Sequence, residues 1–365
     1  MTEPRLSPLH DRHVALGAKF SEFGGWLMPL QYSGVIAEHK AVRSAVGVFD
    51  VSHLGKVRVS GEGAVSFLNT CLTNDLNRIG AGQAQYTLAC NDAGGVIDDL
   101  IAYRLGDTEV LLIPNAANTA TVVAALRDAA PAGIEVVNQH TDYAVIAVQG
   151  TYSDETLGAL GLPVGQGYMH FVEGTWASTS LTVCRTGYTG ERGYELVVPN
   201  AAAGAVWDAV LAAGKEFDIL PSGLGARDTL RTEMGYPLHG QDLSPSITAV
   251  QAGLTWAVGW DKPEFWGSVA LKQQKAAGAS RLLRGLKAVG RGIPRPHMAV
   301  VDADGSTLGE LTSGTFSPTL GTGIGLALID RSVTPGGRVG VAIRDRVEEF
   351  EVVRPPFVTP AVREQ

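Results

Sequence analysis

Two adjacent carboxylates, Asp98 and Asp99, are the residues of this chain whose setting most strongly indicates chemistry. They lie inside the run GGVIDDLIAY (residues 94–103), which otherwise has the composition of a buried strand. Burying an ionised carboxylate costs several kcal/mol unless the group has a partner or a function. Because neighbouring side chains on a strand point to opposite faces, we expect one acid to serve a site and the other to face a loop or solvent. The alternative is a strand end at which both acids cap the preceding AGG turn.

A third carboxylate, Glu195, has the same unusual setting. In GYTGERGYELVVP (residues 187–199) the glycines permit tight turns with positive φ, and Glu195 then falls on a strand among apolar neighbours. A carboxylate in such a strand either belongs to a site or forms a cross-strand ion pair at a sheet surface. The residues alone leave both interpretations open.

Arg227 is the charged member of an apolar helix face. The segment SGLGARDTLRTEMG (residues 222–235) predicts a helix with Ser222 as its cap. The other side chains predicted on this face are Leu224, Leu230 and Met234. A guanidinium in this setting either pairs with an acid or recognises a planar ligand. Asp228 and Glu233 lie off the apolar face, and we expect them to be solvated.

Together, these groups suit a planar heteroaromatic ligand that is rich in hydrogen-bond donors and acceptors. Tyr86 and Tyr188, on flanking strands, would add aromatic surface. A pterin fits, because its amino-pyrimidinone edge offers two parallel N–H groups to a carboxylate and its carbonyl can accept from an arginine. Residue types alone do not distinguish a pterin site from a purine or flavin site.

Composition narrows the class of protein. The chain has 365 residues, 45% hydrophobic and 18% charged, with a formal net charge of -8. This length predicts two or three domains, and the acidic balance argues against nucleic acid as the main partner. No apolar run approaches 18 residues, and the first 13 residues lack the hydrophobic core of a signal peptide, so we expect a cytoplasmic protein.

The cysteines and histidines give no indication of a metal or disulfide framework. Cys71, Cys90 and Cys184 are far apart and odd in number, which is typical of reduced thiols. His10 and His13 form the one close histidine pair and lack a third ligand, so no metal cofactor is expected. GTGIG (residues 321–325) precedes a strand-like run rather than a helix and is interpreted as a turn.

The order of predicted elements indicates an α+β fold without regular βαβ alternation. An amphipathic opening to about Ser52 is followed by a short strand (residues 55–61), a helix-like segment (residues 63–76), three strand candidates and an Ala-rich helix from about Ala116. A second set of strand candidates begins at residue 142 and ends with the helix AAAGAVWDAVLAAG (residues 201–214). From residue 281 short strands separated by Gly- and Pro-containing turns predict a small closed or nearly closed β domain. The polar, Ala/Gly-rich segment 272–285 is either a linker or a helix end.

Several motifs carry a family resemblance. FDVSHLGK (residues 49–56), NDAGGVIDDLIAY, GYTGERGYE and GLGARDTLRTEMGYPLHGQD resemble the corresponding motifs of the aminomethyltransferase, or T-protein, of the glycine cleavage system. FGGWLMPLQYSGVIAEH near the start and RPPFV near the end fit as well. The likeness therefore extends over nearly the whole chain.

The resemblance implies a three-domain clover-leaf fold with tetrahydrofolate in a central channel. The expected domains are a discontinuous α+β folate-binding domain of residues 1–52 and 140–270, a second α+β domain of residues 53–139, and a small β-barrel domain of residues 281–365. The implied reaction moves the one-carbon unit from the aminomethyl group on the dihydrolipoyl arm of H-protein to tetrahydrofolate. Its products are 5,10-methylenetetrahydrofolate, ammonia and dihydrolipoyl H-protein.

The resemblance also selects among the candidate residues. The family's folate-site acid matches Asp99, and its pterin-binding glutamate and arginine match Glu195 and Arg227. Further pocket positions of the family match Tyr86, Asn115 and Tyr188. We expect Asp99 to orient the folate and assist proton movement, without a covalent enzyme intermediate, because no activated serine or cysteine is visible.

The sequence departs from the family pattern at two places, and two other functions share the fold. Val51 replaces the methionine of many relatives, which should change the shape of the pocket wall, and the tyrosine that some relatives carry just after PFV is missing. The alternatives are a folate-dependent demethylase of a small sulfonium or amine and a non-enzymatic folate-binding iron-sulfur assembly protein. The latter is disfavoured because no KGCYxGQE-like segment is present. Arg5, Arg12 and Lys19 are a candidate contact for H-protein.

Overall fold

The computed structural model of the protein describes residues 3–363. The expected domain limits at residues 1 and 365 lie outside the described residues. The strands are β1 (Arg5–Leu6), β2 (Lys19–Phe23), β3 (Trp26–Gln31), β4 (Gly47–Asp50), β5 (Val57–Ser60), β6 (Gln83–Cys90), β7 (Val96–Arg104), β8 (Glu109–Ile113), β9 (Glu135–Asn138), β10 (Tyr143–Gln149), β11 (Phe171–Trp176), β12 (Thr179–Cys184), β13 (Gly193–Pro199), β14 (Leu220–Pro221), β15 (Arg281–Ala288), β16 (Ala299–Val301), β17 (Thr307–Ser317), β18 (Thr322–Asp330), β19 (Arg338–Ile343) and β20 (Arg346–Val353).

The α-helices are α1 (His10–Ala15), α2 (Val35–Ser44), α3 (Ala64–Cys71), α4 (Thr119–Ala129), α5 (Ser153–Gly158), α6 (Asn200–Ala213), α7 (Leu224–Met234) and α8 (Ser268–Ala277). Short 3-10 helices span Leu76–Arg78, Ala116–Asn118, Gly214–Phe217 and Thr255–Ala257. Within residues 3–363, no helix combines the length and the apolar character needed to cross a lipid bilayer.

A six-stranded sheet in the order β11-β12-β13-β10-β4-β14 carries Glu195. The side chains on one of its faces pack against α6, whose fully buried Trp207 contacts the same apolar cluster as Ile146 and Leu196. Alternating strand residues on the opposite face belong to a second cluster with Leu230 of α7. Because both faces are covered, the strands read as nearly continuous apolar runs, and a charged residue among them requires a specific environment.

A five-stranded antiparallel sheet in the order β6-β7-β8-β5-β9 carries Asp98 and Asp99. Helices α3 and α4 cover one face, where Leu68 and Val123 pack with Leu112 of β8. All five strands fall between residues 57 and 138, while the neighbouring strands β4 and β10 belong to the six-stranded sheet. This change of sheet supports the division into domains, which we keep as a proposal.

The last six strands form a closed barrel in the order β15-β18-β17-β16-β19-β20. Its core contains Leu286, Val341 and Phe350. The predicted C-terminal β domain is thus confirmed as a barrel. Strands β15 and β17 were not predicted. In β17 the sequence TLGELTSGTFS lacks a continuous apolar alternation because several of its buried residues are Ser and Thr, which bond to α7 and its neighbours.

Three local predictions need correction. The N-terminal segment, predicted as an amphipathic opening, contains the three-stranded sheet β1-β3-β2. The helix predicted from residue 63 to residue 76 ends at Cys71, because Leu72 is extended and pairs with Ala89. GTGIG was interpreted as a turn, but β18 already begins at Thr322, so only Gly321 precedes the strand.

Candidate functional site

A cavity of about 430 Å³ lies where the two large sheets, the β2–β3 hairpin and α7 meet. This volume is within the range of sites for drug-sized ligands. All six expected site residues line it, although they come from distant parts of the chain: Tyr86, Asp99, Asn115, Tyr188, Glu195 and Arg227.

Asp99 projects into the cavity because of the alternation of β7. Asp98 is fully buried on the other face, whereas Asp99 is partly accessible from the cavity. The phenol of Tyr86 donates to Oδ2 of Asp99 at 3.0 Å, and Nδ2 of Asn115 donates to Oδ1 at 2.9 Å. Burial raises the pKa of Asp99, while the bonds from Tyr86 and Asn115 oppose the rise. The site thus holds an oriented carboxylate that binds a proton more tightly than a surface acid does.

Asp98 secures the turn that supports Asp99. Its carboxylate accepts from the backbone N–H of Asn115 at 3.0 Å, from Nδ2 of Asn115 at 2.9 Å and from Nδ2 of Asn118 at 2.6 Å. Asp98 therefore faces a loop, which was one of the two expected environments, and the prediction that it could face solvent is wrong. Capping of the AGG turn by these acids is also wrong, because Oδ1 of Asn91 accepts the turn's N–H groups from Ala93 and Gly95. Burial and the nearby charge of Asp99 raise the pKa of Asp98.

Glu195 lies in the middle of β13, opposite Ala147 of β10 and Cys184 of β12. Oγ1 of Thr186 donates to its Oε2 at 2.6 Å. Among the described residues no cation lies within 4.0 Å of this carboxylate, so the cross-strand ion pair is wrong. The carboxylate is buried, and it retains lone pairs for a ligand because Thr186 is the only hydrogen-bond donor recorded to it within residues 3–363.

Arg227 lies on α7 with its guanidinium over the ring of Tyr188, at 4.8 Å from the ring centroid. Within the described part of the chain it has no carboxylate within 4.0 Å, and its buried Nη1 has no hydrogen-bond partner. Burial lowers the pKa of Arg227, and the charge of Glu195 opposes that shift. A buried guanidinium nitrogen without a partner is costly, so this geometry favours recognition of a ligand over a structural ion pair.

Aromatic rings extend the site in two directions. The ring of Tyr188 stacks on Tyr236 at 5.7 Å, and its phenol donates to the carbonyl of Pro237. Trp256 stacks on Tyr86 at 5.3 Å and remains 63% exposed at the edge of the cavity. Sequence reasoning missed Tyr236 and Trp256, because they follow α7 on an irregular connection where no periodic pattern assigns a face.

Two more cavity residues were not predicted. The imidazole of His53 is 2% exposed and is held edge-on by Phe23 at 5.4 Å. Burial and the charge of Arg227 lower the pKa of His53 to about 3, so the ring is neutral. His239 lines the cavity and bonds to Nδ2 of Asn118 and to the carbonyl of Val96. The motif FDVSHLGK (residues 49–56) contains His53, but the sequence argument gave this histidine no role.

The start of α7 is fixed by Glu38 rather than by the predicted cap Ser222. Oε2 of Glu38 accepts from the backbone N–H of Gly223 at 2.9 Å, while its Oε1 accepts from Tyr32 and Gly34. Gly223 lies against the main chain of Leu30, where an added Cβ would come within 2.3 Å of the carbonyl group. The helix that carries Arg227 is thus pressed onto the β2–β3 hairpin.

The predicted solvation of Glu233 is wrong. Glu233 is completely buried between α7 and the barrel, where it bonds to Arg43, Ser317 and Thr319. Asp228 is partly exposed, lines the cavity and pairs with the buried Arg231 at 2.7 Å. The bonds of Glu233 to Ser317 and Thr319 fix α7 on the barrel.

Arg231 was also missed as a buried charge. It pairs with Asp242 at 2.8 Å and donates to Ser313 of the barrel at 2.8 Å. Val51, expected to shape the pocket wall, is fully buried in the cluster behind the cavity and does not line it. Across residues 3–363 no group of three or more His, Cys, Asp or Glu side chains is placed to hold a metal ion.

Comparison with known proteins identifies the class to which this fold and site belong. The model of the GCVT N-terminal domain matches residues 9–262, and that of the glycine cleavage T-protein C-terminal barrel domain matches residues 281–359. The chain belongs to the glycine cleavage T-protein family.

Full-length relatives specify the enzyme further. An aminomethyltransferase of Frankia alni is 60% identical over 365 residues, covering all of both chains, and one of Mycobacterium tuberculosis is 58% identical over 98% of this chain and 97% of its own. The crystal structure of glycine cleavage system aminomethyltransferase T from Bartonella henselae superposes with a TM-score of 0.93 at 33% identity, covering 99% of each chain. The expected fold and the expected enzyme, an aminomethyltransferase of the glycine cleavage system, are confirmed.

Proposed function

We propose that the cavity binds tetrahydrofolate as the one-carbon acceptor and that Asp99 is the catalytic residue. The observation that carries this proposal is the carboxylate of Asp99, oriented by Tyr86 and Asn115 inside a cavity that Arg227 also lines with a buried Nη1 that has no hydrogen-bond partner. The donor is the aminomethyl group on the dihydrolipoyl arm of H-protein. The products are 5,10-methylenetetrahydrofolate, ammonia and dihydrolipoyl H-protein.

Glu195 and Arg227 hold the pterin ring in this proposal. The free lone pairs of the Glu195 carboxylate accept the parallel N–H groups of the amino-pyrimidinone edge, and the unpartnered Nη1 of Arg227 donates to the ring carbonyl. Tyr188, already positioned by Arg227 and Tyr236, supplies an aromatic surface beside them. The donor and acceptor pattern of the residues therefore matches that of the ligand.

Asp99 acts by charge and by proton transfer. Its carboxylate stabilises positive charge on the one-carbon unit inside the cavity, and its raised pKa favours acceptance of a proton from the attacking nitrogen. Tyr86 and Asn115 fix the carboxylate so that it needs no reorientation during the reaction.

The thiols support a mechanism without a covalent enzyme intermediate. Burial raises the pKa of Cys71 to about 11 and that of Cys90 to about 12, and it raises the pKa of Cys184 well above the usual range. None of the three lines the cavity. A buried thiol with a raised pKa is a poor nucleophile, so direct transfer between bound substrates is the simpler chemistry.

H-protein would deliver its arm at the exposed edge of the cavity. Trp256 and Phe23 are both exposed there, and Phe23 belongs to the hairpin that begins with Lys19. Of the expected contact residues, Arg12 is engaged by Asp208 at 2.8 Å, so Lys19 and Arg5 are the better candidates. We keep the cytoplasm as the proposed location, because H-protein and folate would have to be available to the enzyme.

Ammonia release tests the proposed function. Purified protein with lipoylated, aminomethyl-loaded H-protein should release ammonia in a tetrahydrofolate-dependent manner, and unlipoylated H-protein is the control. Failure to release ammonia, combined with demethylation of a small sulfonium or amine donor, would replace this proposal by the demethylase alternative.

A further inference from the structure

Lys56 is a completely buried lysine that forms no ion pair. No carboxylate of residues 3–363 lies within 4.0 Å of its Nζ, which instead donates to the carbonyls of Ser52 at 2.9 Å and of Leu54 at 2.8 Å. Burying a lysine without an acid is costly, and burial lowers the pKa of Lys56 to about 7. An apolar side chain would fill the same space at lower cost, so the two hydrogen bonds need an explanation.

The two carbonyls flank His53. The carbonyl of His53 itself accepts from Nε2 of His140 at 2.8 Å. The side chains of His53 and Leu54 line the cavity, while Lys56 and His140 hold their backbone. Residues 51–54 lie between β4 and β5 and are outside both sheets, so side chains replace the missing strand partners.

Gly55 follows the segment of residues 51–54 and prevents it from shifting. A Cβ on Gly55 would come within 2.3 Å of Oγ1 of Thr119, and the N–H of Gly55 donates to the carbonyl of Pro114 at 2.8 Å. The backbone is thus held on both sides of His53, and the rotamers of His53 and Leu54 alone remain to be set by neighbours. Lys56 is the side chain that bonds to the carbonyls on both sides of His53.

We propose that Lys56 is a positioning residue that acts through His53 and Leu54 to shape the cavity for the folate acceptor. This inference rests on the proposed function, in that the cavity is taken as the folate site. Lys56 does not touch the reacting atoms. Its removal should weaken binding of the acceptor, because the free protein would lose a preformed surface, and should change the rate at saturation much less.

The chain offers a matched control. Lys262 is also buried, and its Nζ donates to the carbonyls of Asn69, Leu72 and Asn74. None of these three residues lines the cavity. Lys262→Met thus removes the same kind of contact from carbonyls of residues that do not themselves line the cavity.

The test combines calorimetric titration of tetrahydrofolate, under anaerobic conditions, which gives Kd, with ammonia release from loaded H-protein, which gives kcat. Both are measured for the wild type, Lys56→Met and Lys262→Met. Lys56→Met should raise Kd about tenfold, with kcat at saturation changed less than about threefold, and Lys262→Met should leave Kd unchanged. In a His53→Ala, Leu54→Ala background the effect of Lys56→Met on Kd should disappear, because the side chains it positions are gone. A purely structural lysine would not show this dependence.

The outcomes separate the two proposals. If the wild type does not bind tetrahydrofolate, the proposed function fails. If the wild type binds and Lys56→Met binds equally well, or its effect persists in the double-alanine background, the inference about Lys56 is overturned. Should Lys56→Met not fold, Lys56→Leu, which also lacks a donor to the two carbonyls, takes its place, and unchanged Kd in that variant overturns the inference.

Discussion

Asp98 and Asp99 share one hydrogen-bond donor: Nδ2 of Asn115 lies 2.9 Å from Oδ1 of each carboxylate. The two side chains nevertheless belong to opposite faces of β7. Strand β8 ends at Ile113, which pairs with Ile101, so the carbonyl of Asp99 has lost its strand partner and accepts from the same amide. One amide therefore links the buried acid to the acid in the cavity.

Asp99→Asn should reduce kcat about a hundredfold or more, because the amide cannot accept a proton or stabilise positive charge as the carboxylate does. Ammonia release with loaded H-protein measures the effect. Asp92→Asn, in the exposed turn before the same strand, is the matched control and should behave as the wild type. Wild-type turnover in Asp99→Asn would remove Asp99 from the mechanism.

Arg227→Ala should weaken tetrahydrofolate binding by about ten- to a hundredfold, the usual scale for a lost hydrogen bond to a charged group. Arg227→Lys should recover little affinity, because an ammonium lacks the planar fork of donors. Calorimetry gives both values, and Arg291→Ala, on the exposed barrel surface, is the control. Unchanged affinity in Arg227→Ala would mean that this guanidinium has no role in recognition.

Asp98→Asn should lower the free energy of unfolding by about 1–3 kcal/mol, because donors from Asn115 and Asn118 would face another amide. Turnover should fall as well, since Asn115 would no longer be fixed beside Asp99. Urea denaturation and the ammonia assay measure the two effects. A variant as stable as the wild type would show that these bonds contribute nothing net.

Stability should depend on pH through Lys56. Burial lowers its pKa from 10.5 to about 7 in the folded chain, so between these values the unfolded chain binds more protons than the folded one. The free energy of unfolding of the wild type, relative to Lys56→Met, should then rise with pH across this window by about 1 kcal/mol per pH unit. Parallel urea titrations at pH 6.5, 8 and 9.5 measure the difference, and a flat difference would contradict the shift.

Local patterns were sufficient where a residue's neighbours in sequence determine its environment. The alternation of β7 separates Asp98 from Asp99, and the apolar face of α7 makes Arg227 conspicuous. The residue types then indicated a planar ligand, and the family resemblance indicated which one. The spacing of the Gly- and Pro-containing turns after residue 281 predicted the C-terminal barrel.

The same patterns failed where partners come from distant segments. The helix pattern alone predicts that Glu233 is solvated. In the folded chain Ser317, more than eighty residues later, packs over Glu233 and donates a hydrogen bond to it. Glu38 replaces Ser222 at the start of α7 for the same reason. Trp256 lies on a single 3-10 turn, which has no periodicity to assign a face.

None of the described barrel residues lines the cavity, yet α7 carries Arg227 into the cavity while Arg231 and Glu233 of the same helix bond to Ser313 and Ser317 of the barrel. The barrel is therefore not a detachable module. A barrel taken from a relative should therefore dock on α7 well only if it keeps hydroxyls at the positions of Ser313 and Ser317.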